Sequence, residues 1–321
     1  MDFSLPFSPV SLSECLDFIP TLIEKIKDSA EYPDTLEPNF GEQLSKKFSE
    51  DIVIETKLQV YLLYSRDDST SLLGVLWLEK TTPYYGCITY CCFEKGHEED
   101  MVQWSFQQNM FMDAILELVY LQNVTPYLTA LRKLPLKENK RQRMGCWLSE
   151  NTALLNPTEH PFSIRRLSKY DCAQSGELSF LAHQVSKDYE FYSEMNCLER
   201  RIKLEERVFD SLYGPVLSEL SFKLYLGEIL LGYCLCVGIS CWGYEQIPWV
   251  FDVAVHPDAM GKGVGRFMMQ YLLEKATALE QPIVGLAVTL NNASALHLYE
   301  ALGFTISDSF SEFIQVPESL S

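Results

Sequence analysis

The sequence predicts an α/β chain with a mixed central sheet flanked by helices, built as two tandem copies of one element order. Three observations predict it. From Ser221 to His256 short β-like runs follow one another, FKLYLG, ILLGYCLCVGIS and WVFDVAVH, with glycine-containing turns between the first two. After His256 the apolar period switches, and Val264, Phe267, Met268, Tyr271, Leu272 and Ala276 recur at spacings of three and four, one face of a helix. The first half repeats the succession more faintly, with YLLYS, LLGVLWLEK and GCITYCCF as strands and a helix expected over Glu98 to Leu121.

Taken in order, the first half is expected to be one domain over residues 1–150, and its segment LKENKRQRMGCW stands where SALHLYEALGF stands in the second half. Its strand ITYCCF runs into EKGHEED, a loop with one glycine and four carboxylates that would repel phosphate. Residues 151–160 are expected to be a linker, because LSENTALLNPTEHPF mixes Asn, Thr, Ser and two prolines between hydrophobic regions. The second domain, residues 161–321, should open with the strand FSIRRL over 162–167. Helices through about residue 188 and over 196–212 should follow, ahead of a three-strand meander. IVGLAV is a continuous apolar strand, Ser294 to Leu302 an amphipathic helix closed by Gly303, and Phe304 begins the last strand.

Composition narrows the function classes. Of 321 residues, 47% are hydrophobic and 22% charged, the balance of a chain that folds. A net charge of −18 argues against nucleic acid, whose phosphates need a basic stripe, and suits a cationic acceptor. No apolar run is long enough to span a membrane, and Met1 to Pro20 carries acids where a secretory leader would carry bases, so a soluble cytoplasmic protein is expected. The ten cysteines lack paired spacing with histidines and are expected to be free thiols, with no metal site. Oligomeric state is not encoded in any visible pattern.

The stretch that carries chemistry is VAVHPDAMGKGVGR, Val253 to Arg266. Gly261, Gly263 and Gly265 alternate at a strand-to-helix junction. There, missing side chains let backbone N–H groups approach an anion, and the helix N-terminus adds a favourable dipole. A Walker loop needs Gly-Lys-Ser/Thr, and a dinucleotide fold needs GxGxxG; neither fits GKGVG.

With its helix, VAVHPDAMGKGVGRFMMQYLLEKA resembles the acetyl-CoA loop of the GCN5-related N-acetyltransferase (GNAT) superfamily. Asn292 to Phe304, NASALHLYEALGF, is similar to the NxxAxxLYxxxGF signature of the same family. The resemblance covers about 155 residues well and the first 150 only in outline, which makes the first half a degenerate copy without a phosphate loop. It implies acetyl-CoA as cofactor and transfer of acetyl to a primary amine, whether a protein lysine, an N-terminal amine or a small amine. It implies that Val253, Ala254 and Val255 meet the pantetheine arm, and that the amides from Gly261 through Lys262, Gly263, Val264 and Gly265 to Arg266 hold the pyrophosphate. Asn292 and Tyr299 are implied to face the cofactor. Met260 departs from the pattern, since the family often has Arg or Gln there; Lys262 and Arg266 still supply charge.

Direct attack by an amine needs a base, an oxyanion donor and an acid for the leaving thiolate. Tyr299 is the expected acid, and a backbone N–H of Val253 to Val255 the expected oxyanion donor. The fifth-strand glutamate of some family members is replaced by Ala287, so the expected base is Asp252, an acid inside the apolar run WVFDVAV whose pKa desolvation would raise. His256 and His297 are weaker candidates, and a base acting through water, or none because the amine arrives deprotonated, stays open. The acceptor pocket is expected between Tyr189 to Glu206 and the fourth and fifth strands. A catalytically weak, acetyl-CoA-binding regulatory protein is the alternative. Family analogy adds the expectation of a secreted bacterial effector acting in a host cytoplasm.

Overall fold

The computed structural model describes residues 5–30, 39–50, 57–112, 114–149, 161–186 and 190–315. The first half runs through one strand (β1, Phe7–Ser11), two helices (α1, Ile19–Ser29; α2, Phe40–Glu50) and three strands (β2, Leu58–Ser65; β3, Leu72–Thr82; β4, Tyr85–Cys92). A helix (α3, Glu98–Gln107), a strand (β5, Ile115–Tyr120), a short helix (α4, Thr125–Leu131) and a last strand (β6, Leu136–Trp147) complete it. The second half repeats this order element by element. It runs β7 (Ser163–Arg166), α5 (Cys172–Ser186), α6 (Leu198–Phe209), β8 (Phe222–Leu226), β9 (Ile229–Cys241) and β10 (Tyr244–Val255). Then come α7 (Val264–Ala278), β11 (Ile283–Thr289), α8 (Ala293–Glu300) and β12 (Thr305–Gln315).

Two expectations for the first half are corrected. The helix from Glu98 stops at Gln107, Asn109 takes a left-handed φ of 57°, and Ile115–Tyr120 is a strand parallel to β4. A parallel pair needs a crossover, and α3 is that crossover; ILELVY is a short apolar run whose helical or extended state its periodicity alone does not settle. LKENKRQRMGCW is a strand, not the counterpart of a helix. The helix at that place in the repeat is α4, started by Pro126 in its first turn.

The chain forms two compact units, Met1–Glu138 with Ser311–Ser321, and Asn139–Phe310. In the first, β1 to β4 pair antiparallel in sequence order, β5 lies parallel to β4, and Glu312 and Phe313 of β12 pair with Glu117 and Leu116 of β5. In the second, β7 to β10 form the expected antiparallel meander, β11 lies parallel to β10, and Arg141 to Trp147 of β6 pair antiparallel with β11. The division therefore falls at Glu138, before the expected boundary at 150, because β6 lies hydrogen-bonded between β12 and β11. The expected linker, 151–160, lies outside the described residues.

The repeats differ where the fourth and fifth strands meet. In the first unit β4 and β5 are zipped from Tyr85 opposite Ile115 to Tyr90 opposite Tyr120. Beyond them the Gln122 side chain accepts from the Cys92 N–H at 2.9 Å and donates to the Cys92 carbonyl at 2.8 Å, closing the strand end as another strand would. In the second unit β10 and β11 pair only at Trp249 with Gly285 and Val250 with Leu286. A bulge at Phe251 shifts the register against β9, and β10 then stays with β9 as far as Val255 opposite Gly232. Among the described residues, no strand pairs with the β11-facing edge of Phe251 to Val255.

Both faces of β10 are covered. Val253 and Val255 pack with Val264 and Met268 of α7 and with Leu298 and Tyr299 of α8, whereas Ala254 packs with Leu178 and Ala182 of α5 and Leu204 and Val208 of α6. All ten cysteines are free thiols. No helix among the described residues is long and apolar enough to cross a membrane.

Replacing Gln122 with Ala is expected to lower the unfolding free energy by about 1–3 kcal/mol, because it leaves the Cys92 carbonyl without its partner and weakens the closure of β4. Urea denaturation followed by circular dichroism measures it.

Candidate active site

Where β10 ends, the chain turns through Pro257–Ala259 and reaches Gly261 at φ 72° and Gly263 at φ 82°. Both are left-handed conformations that a side chain would strain, and Gly263 is the N-cap of α7. No backbone carbonyl among the described residues accepts from Val264, Gly265 or Arg266; the first amide of α7 to be satisfied is Phe267, on the Gly263 carbonyl. Several N–H groups and the positive end of a 15-residue helix therefore converge on one exposed point. A Cβ on Gly265 would lie 3.6 Å from both Leu298 and Val255, so α7, α8 and the end of β10 meet at this turn. Lys262 and Arg266 stand exposed beside it, and Met260 is half-buried with the α5 and α6 side of the core.

The matching turn in the first unit is blocked. The Gly96 N–H donates to Glu98 Oε2 at 2.8 Å, and Glu98, Glu99 and Asp100 fill the first turn of α3. A carboxylate of the chain itself occupies the position an anion would take.

Of the residues expected around the thioester, Tyr299 is buried on α8, its ring 5.7 Å from that of Phe304. It shares a cluster with Val253 and Val255, so those three are brought together. Asn292 has a local duty: its side chain caps α8 by accepting from the Ala295 N–H at 3.2 Å. Ala287 lies on β11 as expected, and its carbonyl accepts from Arg141 Nη2 at 3.2 Å, a cation from β6 that the sequence reading did not single out.

Asp252 is the main correction. It is the first residue after the bulge, and its Oδ2 takes Ser179 Oγ at 2.7 Å and Arg201 Nη2 at 2.6 Å, with the Tyr233 hydroxyl at 2.5 Å. Arg201 is fully buried; it also donates from Nε to Ser179 Oγ at 2.8 Å and from Nη2 to Glu205 Oε1 at 3.0 Å. Burial by itself would raise the Asp252 pKa, but the Arg201 guanidinium, helped by His183, outweighs it and holds the carboxyl far below the usual carboxylate range. Asp252 is a standing anion, not a base tuned towards neutrality. The group whose carboxyl burial does hold above its ordinary range is Glu205, which hydrogen-bonds Ser175 and Tyr233. Its neighbour Arg201 lies within ERRIKLEE, which reads as one charged helix face; only the docking of α6 on α5 and β9 buries the pair.

On the other side of the Asp252 carboxylate, His183 Nε2 lies 3.4 Å from Oδ1, without a hydrogen bond between them. The expected acceptor segment is partly described: residues 187–189 fall outside the described residues. Tyr192 accepts from Asn139 Nδ2 at 3.1 Å, with the Arg141 guanidinium 5.6 Å from its ring.

Residues 186–304 match the family described as acetyltransferase (GNAT) family. They form a GNAT acetyltransferase domain. Among curated relatives, a [ribosomal protein bS18]-alanine N-acetyltransferase of Escherichia coli K12 is 36% identical over 93 residues, 27% of this chain and 63% of that enzyme. The L-amino acid N-acyltransferase MnaT of the same organism is 34% identical over 56 residues, 17% of this chain and 33% of the relative. The chain thus spans less than two thirds of the length of these relatives. Over 96% of its length it shares the fold of a GCN5-related N-acetyltransferase from Sphaerobacter thermophilus, 95% of which is covered, with a TM-score of 0.61 at 14% identity. A tandem GNAT protein from the clavulanic acid biosynthesis pathway gives 0.57 at 12% identity, over 96% of this chain and 97% of that one. The duplicated element order is therefore a tandem GNAT fold.

Arg201→Met is expected to destabilise the GNAT domain by about 3–5 kcal/mol, since it strands a buried carboxylate. Asp252 has a depressed folded pKa, so its contribution is present above the unfolded value near ~3.9 and is lost as pH falls below it. The difference in urea midpoint between wild type and Arg201→Met should accordingly shrink as pH is lowered from 7 to 3.

Proposed function

We propose that the protein is an N-acetyltransferase that moves acetyl from acetyl-CoA to a primary amine in its second unit. The first unit serves as a copy of the fold without a cofactor site. The observation that carries this reading is the conjunction of an open edge on β10 from Phe251 to Val255 with a glycine turn whose amides converge on one point. A pantetheine arm has two amides and can pair with such an edge as a strand would, and a pyrophosphate suits the N-terminus of α7. The first unit has neither feature, being zipped by β5 and Gln122 at one place and filled by Glu98 at the other.

Bound there, acetyl-CoA supplies an activated thioester. The chain's own residues do the rest. Val253 to Val255 orient the arm through backbone groups, and Gly261 to Arg266 neutralise the pyrophosphate with amides, the Lys262 and Arg266 side chains adding positive charge. Tyr299, buried in the cluster against which Val253 and Val255 pack, donates its phenolic proton to the departing sulfur, and a backbone N–H of the same strand faces the developing oxyanion. Asn292 holds α8, and hence Tyr299, in place by capping its first turn.

The net charge of −18 suits a cationic acceptor. The named relatives point to amines attached to amino acids: one acts on an alanine of a ribosomal protein and the other on L-amino acids. A protein N-terminus, a lysine and a small amine are therefore the acceptors to test. Neither named relative is described as secreted or as acting in a host.

Isothermal titration should give one acetyl-CoA per chain. Gly263→Asp should weaken it at least about 100-fold, by adding a side chain at φ 82° and a charge in the cradle. Unchanged affinity would refute the site, and a stoichiometry of two would refute the closed first unit. Mass spectrometry of a lysate incubated with labelled acetyl-CoA should reveal labelled amines; binding without transfer to any amine would favour the regulatory alternative.

A further inference from the structure

We propose that Trp249, with Phe251 beside it and Trp242 and Trp147 behind it, forms the wall that receives the body of the acceptor, and that the acceptor is an amine borne on a flat, apolar group. The proposal rests on the acetyltransferase reading of the second unit and names its substrate class.

The face of the sheet decides which side chains an acceptor meets. Val284, Leu286 and Val288 of β11 pack in the cluster that holds Val264 and Met268 of α7 and Tyr299 of α8. Alternation along the strand sends Gly285 and Ala287 to the opposite face. Trp249 and Phe251 of β10 lie on that same face, since they pack on the cluster of Leu178 of α5 and Val208 of α6. Tyr299 occupies the α7 and α8 side, so an amine that attacks a thioester held along β10 enters from the other face. The two rungs that join β10 to β11 are Trp249 with Gly285 and Val250 with Leu286, and the strands part beyond them. At the fork the entering amine therefore meets Trp249 and Phe251 on one bank and Ala287 on the other. Ala287 is the one residue of β11 that is not buried, and Trp249 and Phe251 are half-buried as well.

The aromatic wall is built against local preference. A Cβ on Gly285 would lie 2.5 Å from a ring carbon of Trp249 and 3.1 Å from one of Trp242, so both indoles lie across β11 at a position that only glycine leaves vacant. The ring centres of Trp249 and Trp242 are 5.7 Å apart and those of Trp242 and Trp147 5.8 Å, and Trp147 stands opposite Ile283. The row thus starts at the fork and runs back over the beginning of β11. Trp242 and Gly243 are the two middle residues of the hairpin between β9 and β10, with φ of 53° and 77°. A two-residue turn with both φ positive favours Asn, Asp or Gly, and an indole at its first position is out of place there. What holds Trp242 in that conformation is its contact with the two other indoles over Gly285. Backbone strain of this kind gathers where a ligand is clamped.

Indole and phenyl faces bind through buried apolar area and offset stacking, and they attract an ammonium as it arrives. A ring carried by the acceptor gains these contacts against Trp249 and Phe251 while its amine reaches the fork. An acceptor with a hydrogen in place of that ring leaves the wall in water and gains nothing from it.

Two pairs of amines test the assignment, each pair sharing its reacting nitrogen and differing in a ring: L-phenylalaninamide against glycinamide, and 2-phenylethylamine against ethylamine. In whichever pair the enzyme turns over, the ringed member should be preferred by about 10–100-fold in kcat/KM. Trp249→Ala should bring that preference to within about threefold, with the loss falling on KM and acetyl-CoA affinity kept within about twofold, and Trp249→Phe should retain most of it. A merely structural Trp249 would lower both members of a pair alike and leave their ratio where it was. Without turnover, 2-phenylethylamine titrated into the complex of the protein with coenzyme A should change the indole fluorescence saturably, ethylamine should not, and the change should shrink in Trp249→Phe. A wild type with no ring preference, no saturable fluorescence change, or a preference that Trp249→Ala leaves intact overturns the proposal and leaves the acetyltransferase reading standing. Faster transfer to 1,4-diaminobutane than to either ringed amine does the same. Acetyl-CoA that is bound but transferred to no amine overturns both.

Discussion

The buried contact between Arg201 and Asp252 decides the shape of the second unit's centre. It ties α6 to β10 at the first residue beyond the bulge, with Ser179 of α5 and Tyr233 of β9 joined to the same carboxylate oxygen. A buried guanidinium and carboxylate cannot drift apart cheaply, because either left alone would be an uncompensated charge in a medium of low dielectric. The strand is thereby fixed to β9 and the helices at the point where it leaves β11. An open edge inside a folded unit would otherwise tend to close by pairing, and this anchor opposes that.

The two repeats show what the same order of elements does with and without such an edge. In the first, β4 and β5 stay paired as far as Tyr90 opposite Tyr120, Gln122 bonds both backbone groups of Cys92 beyond them, and the chain's own Glu98 sits on the amide of Gly96. In the second, bulge, glycines and helix start leave those groups unspent, and a ligand rich in amides and phosphate is what they can take. Closed and open junctions differ by a few side chains, while the scaffold around them is the same.

Some of this was readable in the chain and some was not. The meander from Phe222 to Val255, the turn from Gly261 to Arg266 and the helix carrying Tyr299 all rest on local signals: apolar alternation, glycines needed for φ above zero, and a change of period. Ile115–Tyr120 was read as the tail of a helix because a run of six mostly apolar residues carries no period of its own; only the parallel pairing with β4 makes it a strand. LKENKRQRMGCW, with five charged residues among its twelve, gives no sign of the β11 partner that makes it β6.

The sequence by itself carried the candidate anion cradle, because such a cradle is a local object, alternating glycines between a strand and the start of a helix; the acetyl-CoA reading came from the resemblance of Val253–Arg266 and Asn292–Phe304 to the GNAT family. It also determined that an aspartate would sit inside an apolar strand. What that aspartate does was decided only by tertiary structure, since a carboxylate's pKa depends on what is brought next to it from elsewhere in the chain. Burial alone would have raised it; Arg201, 51 positions away, lowered it, and turned the expected base into a fixed anion facing His183.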